Sequence, residues 1–151
     1  MMSRYEQFAS AISAIYHHIQ RIEREEMIRC GGKGTFAQYL AALYRHPDGL
    51  TSAQLSEVCD RDKAAVSRAV AEMETLGLLD REGGGENQYR ALLLLTPAGR
   101  EAAEFVCRRA EAAVAAGGSG LTEEDRGTMY AALTLIAQNL ESIRREGIPE
   151  E

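Results

Sequence analysis

The sequence predicts a mainly α fold carrying one small β-hairpin, and three observations within residues 50–100 predict it. First, Leu50-Thr51-Ser52-Ala53-Gln54-Leu55 opens a helix: Thr51 is placed to N-cap it, and Gln54 reaches back as the far half of a capping box. Second, after a break at Asp60-Arg61, Asp62 caps a helix from about Lys63 to Leu76. Gly77 stops that helix, because a residue without Cβ takes the left-handed conformation easily. Third, two extended pieces, Leu78 to Arg81 and Tyr89 to Leu95, are joined by Gly83-Gly84-Gly85-Glu86-Asn87. Thr96-Pro97-Ala98-Gly99-Arg100 then restarts helix, with proline at the first position, where its missing N–H costs nothing. Helix, turn, helix and hairpin in that order make a winged helix-turn-helix.

The second of these helices carries the functional signal. At about 100° per residue, Val66, Ala69, Val70, Met73 and Leu76 fall on one side as a stripe for the core. The opposite side carries Ala64, Ser67, Arg68 and Ala71, with Lys63 at its edge. This outward face is small as well as polar, so the helix backbone can approach a surface closely. A major groove about 12 Å wide admits such a helix, and arginine reads guanine through two hydrogen bonds. An alanine-rich exposed helix with incidental polar residues has the same pattern, and the helix alone does not separate the two readings.

The flanks have their own periodicity. Tyr5, Phe8, Ile12, Ile15, Ile19 and Ile22 alternate three and four apart on a first helix ending near Cys30. Thr35 and Gln38 have capping-box spacing before a helix through Phe36, Leu40, Leu43 and Tyr44, which His46-Pro47-Asp48-Gly49 ends. After Thr96-Pro97 a helix carries Ala102, Phe105, Val106, Ala110, Ala113 and Val114 as far as Gly117-Gly118-Ser119-Gly120. Thr122 caps the last helix, whose Met129, Leu133, Ile136, Leu140 and Ile143 repeat the seam of the first. Matching terminal seams predict a two-fold dimer with Tyr5, Phe8, Ile12, Ile15, Met129, Leu133, Ile136 and Leu140 at its interface. The layout is a single protomer. Residues of about 1–30 and 97–146 form the dimerisation helices, and about 35–96 form the winged helix.

Residues 50–100 resemble the MarR family of winged-helix transcription regulators. The matching residues are Leu50-Thr51…Leu55, Asp62-Lys63-Ala64-Ala65-Val66-Ser67-Arg68, Glu74…Leu76-Gly77-Leu78 and Leu95-Thr96-Pro97-Ala98-Gly99, and the likeness extends more loosely through the helices on either side. The resemblance implies a homodimer on palindromic double-stranded DNA, often released by a small ligand or by oxidation. It also implies a repressor-type regulator with its wing near the minor groove. Such proteins carry Asp-x-Arg at the wing. Counting back from Leu95-Thr96 puts Tyr89 at the arginine position and Asn87 at the aspartate, with Arg90 one place later. The expected DNA-binding set is therefore Lys63, Ala64, Ser67, Arg68 and Ala71 on the helix, with Asn87, Tyr89 and Arg90 at the wing. Ligand-binding members hold small, often aromatic compounds between the dimer helices and the reading unit, for which Tyr16, His17, Tyr39 and Tyr44 are candidates. Some members sense oxidants through a cysteine near the first two helices, and Cys30 lies in that region.

Composition sets limits on other functions. A chain of 151 residues with 45% hydrophobic residues builds one protomer with a core, and no apolar run reaches the roughly 18 residues of a membrane span. Met1-Met2-Ser3-Arg4-Tyr5-Glu6 lacks a secretory pattern, and three scattered cysteines fit reduced thiols in the cytoplasm. The net charge of -6 weighs against nucleic acid, as does the balance within residues 50–100. There, Arg61, Lys63, Arg68, Arg81, Arg90 and Arg100 face Glu57, Asp60, Asp62, Glu72, Glu74, Asp80, Glu82 and Glu86. A winged-helix protein-interaction module that has lost DNA is the alternative this balance supports. Screening limits each charge to about 8 Å, however, so local placement matters more than the total.

Other chemistries lack their residues. Adjacent His17 and His18 point about 100° apart on a helix, His46 is isolated, and no cysteine pair supports a metal set, so no metal or cofactor is expected. In Gly31-Gly32-Lys33-Gly34-Thr35, Gly34 separates the lysine from the threonine and a helix precedes it, which suits a hinge and not a phosphate loop. No nucleophile has a base at recognisable spacing, so an enzyme is not expected. Cys59 and Cys107 fall on apolar helical faces and read as core.

Overall fold

The computed structural model describes residues 1–150, and its contacts divide the chain into two units, Met1–Val114 and Ala115–Glu151. The first unit opens with α1 (Arg4–Arg29). Ser3 and Glu6 close a capping box at its start: Ser3 Oγ accepts from Glu6 N at 3.1 Å, and Glu6 Oε2 accepts from Ser3 N at 2.6 Å. At its end, Gly31 N donates to Ile28 O and Gly32 N to Met27 O, each at 3.0 Å, closing the last turn. The first four turns of α1 are exposed apart from half-buried Ala9, and only Glu23, Glu26 and Met27 are buried.

A short 3₁₀ turn (Gly34–Phe36) leads into α2 (Ala37–Arg45). The capping box expected of Thr35 and Gln38 does not form. Phe36, only 1% exposed, is drawn into the core, and this tight turn starts α2 beyond Thr35. Gln38 Oε1 instead accepts from Arg61 Nε at 3.2 Å. Helix α2 is the centre of the unit, with Tyr39, Leu40, Ala41, Ala42 and Leu43 all buried, and it stops at His46 before Pro47.

Next come α3 (Ser52–Cys59) and α4 (Lys63–Thr75), then strands β1 (Leu79–Glu82) and β2 (Leu92–Leu95), then α5 (Pro97–Gly117). The strands pair antiparallel from Leu79 with Leu95 to Glu82 with Leu92, and Leu50 adds a bridge to Leu93. Leu79 and Leu93 point inward onto Leu40, Leu55, Val66, Val70, Met73 and Val106 in one core. Truncating one of these leucines to alanine costs about 2–5 kcal/mol. Gly99 is required where α5 begins, since a Cβ there would lie 1.8 Å from Leu78 O. Thr96 Oγ1 accepts from Gly99 N at 3.1 Å and caps α5, with Pro97 as its first residue. Two sequence expectations need correction in this region. Leu76, expected in the buried stripe, is the C-cap residue of α4 and 58% exposed, because it lies past the last helical residue, where the chain turns away through Gly77. The second extended piece begins at Leu92 and not at Tyr89, because Gln88–Arg90 forms a 3₁₀ turn capped by Asn87.

The second unit contains α6 (Glu123–Glu146). Thr122 and Asp125 form its capping box, its first turn is acidic, and Arg144 and Arg145 lie in its last turn, where the helix dipole favours cations. The helix buries none of its residues: Met129 and Ile136 are half-buried, Leu133 and Leu140 exposed. Among the described residues, no helix is long and apolar enough to cross a membrane.

Candidate nucleic-acid interface

The unit formed by α3, α4 and the hairpin is assembled from local hydrogen bonds. Thr51 and Gln54 close the capping box on α3, at 3.2 Å from Gln54 N to Thr51 Oγ1 and 2.9 Å from Thr51 N to Gln54 Oε1. The turn to α4 is tight: Asp60 adopts a left-handed conformation (φ 48°), and Ser56 Oγ donates to Arg61 O. Asp62 Oδ2 accepts from Ala65 N at 3.4 Å and starts α4. Gly77, at φ 74°, ends it in the left-handed conformation. Gly77 N donates to Glu74 O and Leu78 N to Met73 O, which turns the chain directly into the wing.

Helix α4 buries Val66, Val70 and Met73 and leaves Lys63, Ala64, Ser67, Arg68 and Ala71 exposed. Two concavities flank this exposed strip. One, of about 500 Å³, is bounded by Ser52, Ala53, Lys63, Ala64, Ser67 and Tyr89, so α3, α4 and the root of the wing share one surface. The other, of about 530 Å³, lies between α1, the start of α2 and α4, with Glu23, Arg24, Arg61, Arg68 and Glu72 among its walls. Sequence reasoning missed Ser52 and Ala53. Their position just inside the Thr51 cap was the available signal.

The charge balance resolves locally. Glu72 pairs with Lys33, and Glu74 Oε2 accepts from Arg81 Nε at 3.1 Å, so both acids of α4 are paired with bases from outside the helix. Among the described residues, Lys63, Arg68 and Arg90 take part in no ion pair. The exposed strip therefore carries unpaired positive charge despite the acidic total.

At the wing, Asn87 Oδ1 accepts from Tyr89 N at 3.1 Å and shapes the 3₁₀ turn, and Tyr89 and Arg90 are exposed. The alternation of a strand does not govern where Arg90 points, because Arg90 is not in a strand. Arg81 Nη1 donates to Gln88 O at 3.4 Å and holds the turn against β1.

The four candidate pocket residues do not share one cavity. Tyr16 borders a groove of about 270 Å³ and Tyr44 a neighbouring one of about 280 Å³. Tyr39 lies on the α1–α4 cleft, and burial pushes its hydroxyl above the usual range. His17 is exposed beside Ser13 Oγ, at 3.2 Å. Cys30 is exposed, its Sγ 3.2 Å from Met27 O. Cys59 is half-buried, and burial pushes its thiol up to about 11; burial raises Cys107 as well. No group of His, Cys, Asp and Glu among the described residues could hold a metal ion. Of the expected interface residues, Tyr5, Phe8, Ile12 and Ile15 are all exposed on α1. Two acids of α1 are buried with the core: Glu23 and Glu26 are 7% and 8% exposed.

Residues 34–88 match the family model described as MarR family. The chain is 26% identical over 103 residues to the HTH-type transcriptional regulator YybA of Bacillus subtilis, covering 68% of each. It is 24% identical over 139 residues to YdgJ, an HTH-type transcriptional regulator of the same organism, covering 90% of this chain and 85% of that one. Among solved structures, a MarR family transcriptional regulator from Listeria monocytogenes complexed with 26mer DNA shares the fold. Its TM-score is 0.75 at 20% identity, covering 95% of this chain and 97% of that one.

Proposed function

We propose that the chain is a transcription regulator of the MarR type, acting as a homodimer that reads a two-fold operator in double-stranded DNA, on the support of the family model matched by residues 34–88 and of its HTH-type relatives. The observation that carries this reading is the α4 face: Ala64, Ser67, Arg68 and Ala71 stand clear of the protein while Glu72 and Glu74 are paired off. In this reading α4 enters the major groove, and Arg68 reads a base edge. Lys63 and Arg90 neutralise phosphates, and Asn87 and Tyr89 lie against the backbone beside the minor groove.

The exposed seams of α1 and α6 support dimerisation. Tyr5, Phe8, Ile12 and Ile15, with Met129, Leu133, Ile136 and Leu140, leave apolar surface that a second copy would cover. Two-fold symmetry then sets the reading helices about 34 Å apart, one turn of DNA. We read the protein as a repressor released by a small ligand or an oxidant. Support comes from the cleft between α1 and α4, which shares Arg68 with the DNA face, and from the exposure of Cys30.

The test is selection of bound sequences from randomised duplex DNA, followed by fluorescence anisotropy at fixed salt. A two-fold sequence should emerge, and Arg68→Ala should lose about 1–3 kcal/mol of binding to it. If no sequence is selected and affinity is flat across a salt series, the protein-interaction reading replaces this one.

A further inference from the structure

Glu23 and Glu26 lie almost one turn apart on α1, are equally buried, and are provided for differently. Glu26 uses both oxygens: Arg29 Nη1 donates to Oε1 at 3.1 Å and Arg109 Nε to Oε2 at 3.2 Å. Glu23 has only Arg45, whose Nη2 stands 3.5 Å from Oε1, and among the described residues neither of its oxygens accepts a hydrogen bond. The rest of the Glu23 side chain is packed away, and its oxygens keep only the contact with water that the neighbouring grooves give them, which leaves the charged form poorly solvated. Burial accordingly pushes its pKa above the usual carboxylate range, with Arg45 opposing.

Space surrounds this carboxylate. Glu23 borders the cleft of about 530 Å³ and both smaller grooves of about 270 and 280 Å³. The two smaller grooves adjoin, sharing Ile19, Glu23 and Arg45. Tyr16, Ile19 and Val58 wall one side, and Tyr44 and Val114 the other. The two charges differ in freedom: the Glu23 side chain is 10% exposed, while that of Arg45 is 61% exposed and can swing into solvent. The fixed charge of the site is therefore negative, and the movable one is positive. An incoming cation can replace Arg45, whereas an anion would have to sit against Glu23.

We propose that Glu23 is the floor of a binding site for a small organic monocation, an amidinium or an alkyl- or arylammonium with an apolar or aromatic body. The cation takes the hydrogen-bonding capacity of Glu23 that Arg45 leaves unused. The body packs on Ile19, with Tyr16 lining one groove and Tyr44 the other. The proposal names the ligand class for the effector-responsive reading above and rests on it, yet its measurement requires no DNA.

The probes are benzamidine and benzoate, which share a shape and carry opposite charge, titrated calorimetrically into the full chain. Benzamidine should bind once per protomer and benzoate weakly or not at all. Glu23→Gln should weaken benzamidine by roughly tenfold or more, as loss of a buried charge partner does. Arg45→Met should tighten it by removing the competing cation, and Glu26→Gln should leave it unchanged. The proposal is overturned by equal binding of the two probes, by no binding of benzamidine, or by benzamidine binding indifferent to Glu23→Gln. It is likewise overturned if Glu23→Gln alters dimer dissociation in sedimentation and leaves benzamidine binding intact. Absence of a DNA operator with Glu23-dependent benzamidine binding would remove the regulator reading and leave this site standing.

Discussion

Arg81, on the first strand of the wing, donates from Nε to Glu74 Oε2 at 3.1 Å across the end of α4. The same guanidinium reaches Gln88 O at 3.4 Å, so one side chain joins the reading helix, the first strand and the turn at the wing root. It also neutralises Glu74 at the end of α4. Arg81→Ala should therefore cost about 0.5–1 kcal/mol of stability, allowing for solvent screening of a partly exposed pair. It should also weaken DNA binding by loosening the wing. Urea unfolding checks the first effect and anisotropy the second. An unchanged midpoint would mean the pair contributes nothing to holding the wing.

Arg90 follows Tyr89 in the exposed 3₁₀ turn and has no ion-pair partner among the described residues. In the proposed reading it contacts phosphate, and such a contact carries affinity without sequence information. Arg90→Ala should weaken all duplexes about equally and lower the salt slope by about one unit. A selective loss at one base position would instead make it a reader of sequence.

Ile12, 37% exposed in the single chain, lies within the seam of α1. Ile12→Asp should abolish the dimer and operator binding together while leaving helix content intact, because Ile12 is no part of the protomer's buried core. The expected loss is about 1.5–3 kcal/mol for each copy of the side chain. Sedimentation velocity distinguishes the species, and a variant that stays dimeric would place the interface elsewhere.

The three thiols should react in a set order. Maleimide at neutral pH should modify exposed Cys30 first, and Cys30→Ser should remove that phase. Cys59 should lag, since burial holds its thiol neutral up to about 11, against an ordinary value of 9.0. The fold keeps this proton where the unfolded chain releases it. Stability contributed by the neutral thiol is thus present below about pH 9 and is lost as pH rises toward about 11. Urea midpoints across that window should fall less steeply in Cys59→Ala. Equal slopes would mean that Cys59 does not titrate there.

Short-range chemistry was readable wherever the partners sit within a few residues of each other. Thr51 with Gln54, Asp62 before Lys63, Gly77 after α4, Thr96-Pro97 and Thr122 each act where the sequence put them, because capping needs only neighbouring backbone. The small face of α4 was likewise visible, since helical periodicity alone collects Ala64, Ser67, Arg68 and Ala71. Thr35 failed as a cap because the burial of Phe36, a contact with distant parts of the chain, outweighed one local hydrogen bond.

What local pattern left open was decided by segments far apart meeting. Lys33 lies 39 residues from Glu72, and Arg109 lies 83 from Glu26, so no window of sequence could pair them. The acidic total of this chain therefore misleads until folding pairs Glu72 and Glu74 with Lys33 and Arg81 and leaves Lys63 and Arg68 without an acid among the described residues. The burial of Glu23 has the same cause, since its partner Arg45 comes from α2 and lies 22 residues further along the chain. The helices, caps and reading face come from neighbouring residues. Which charges remain uncompensated, and so what the surface can bind, comes from the packing of one helix on another.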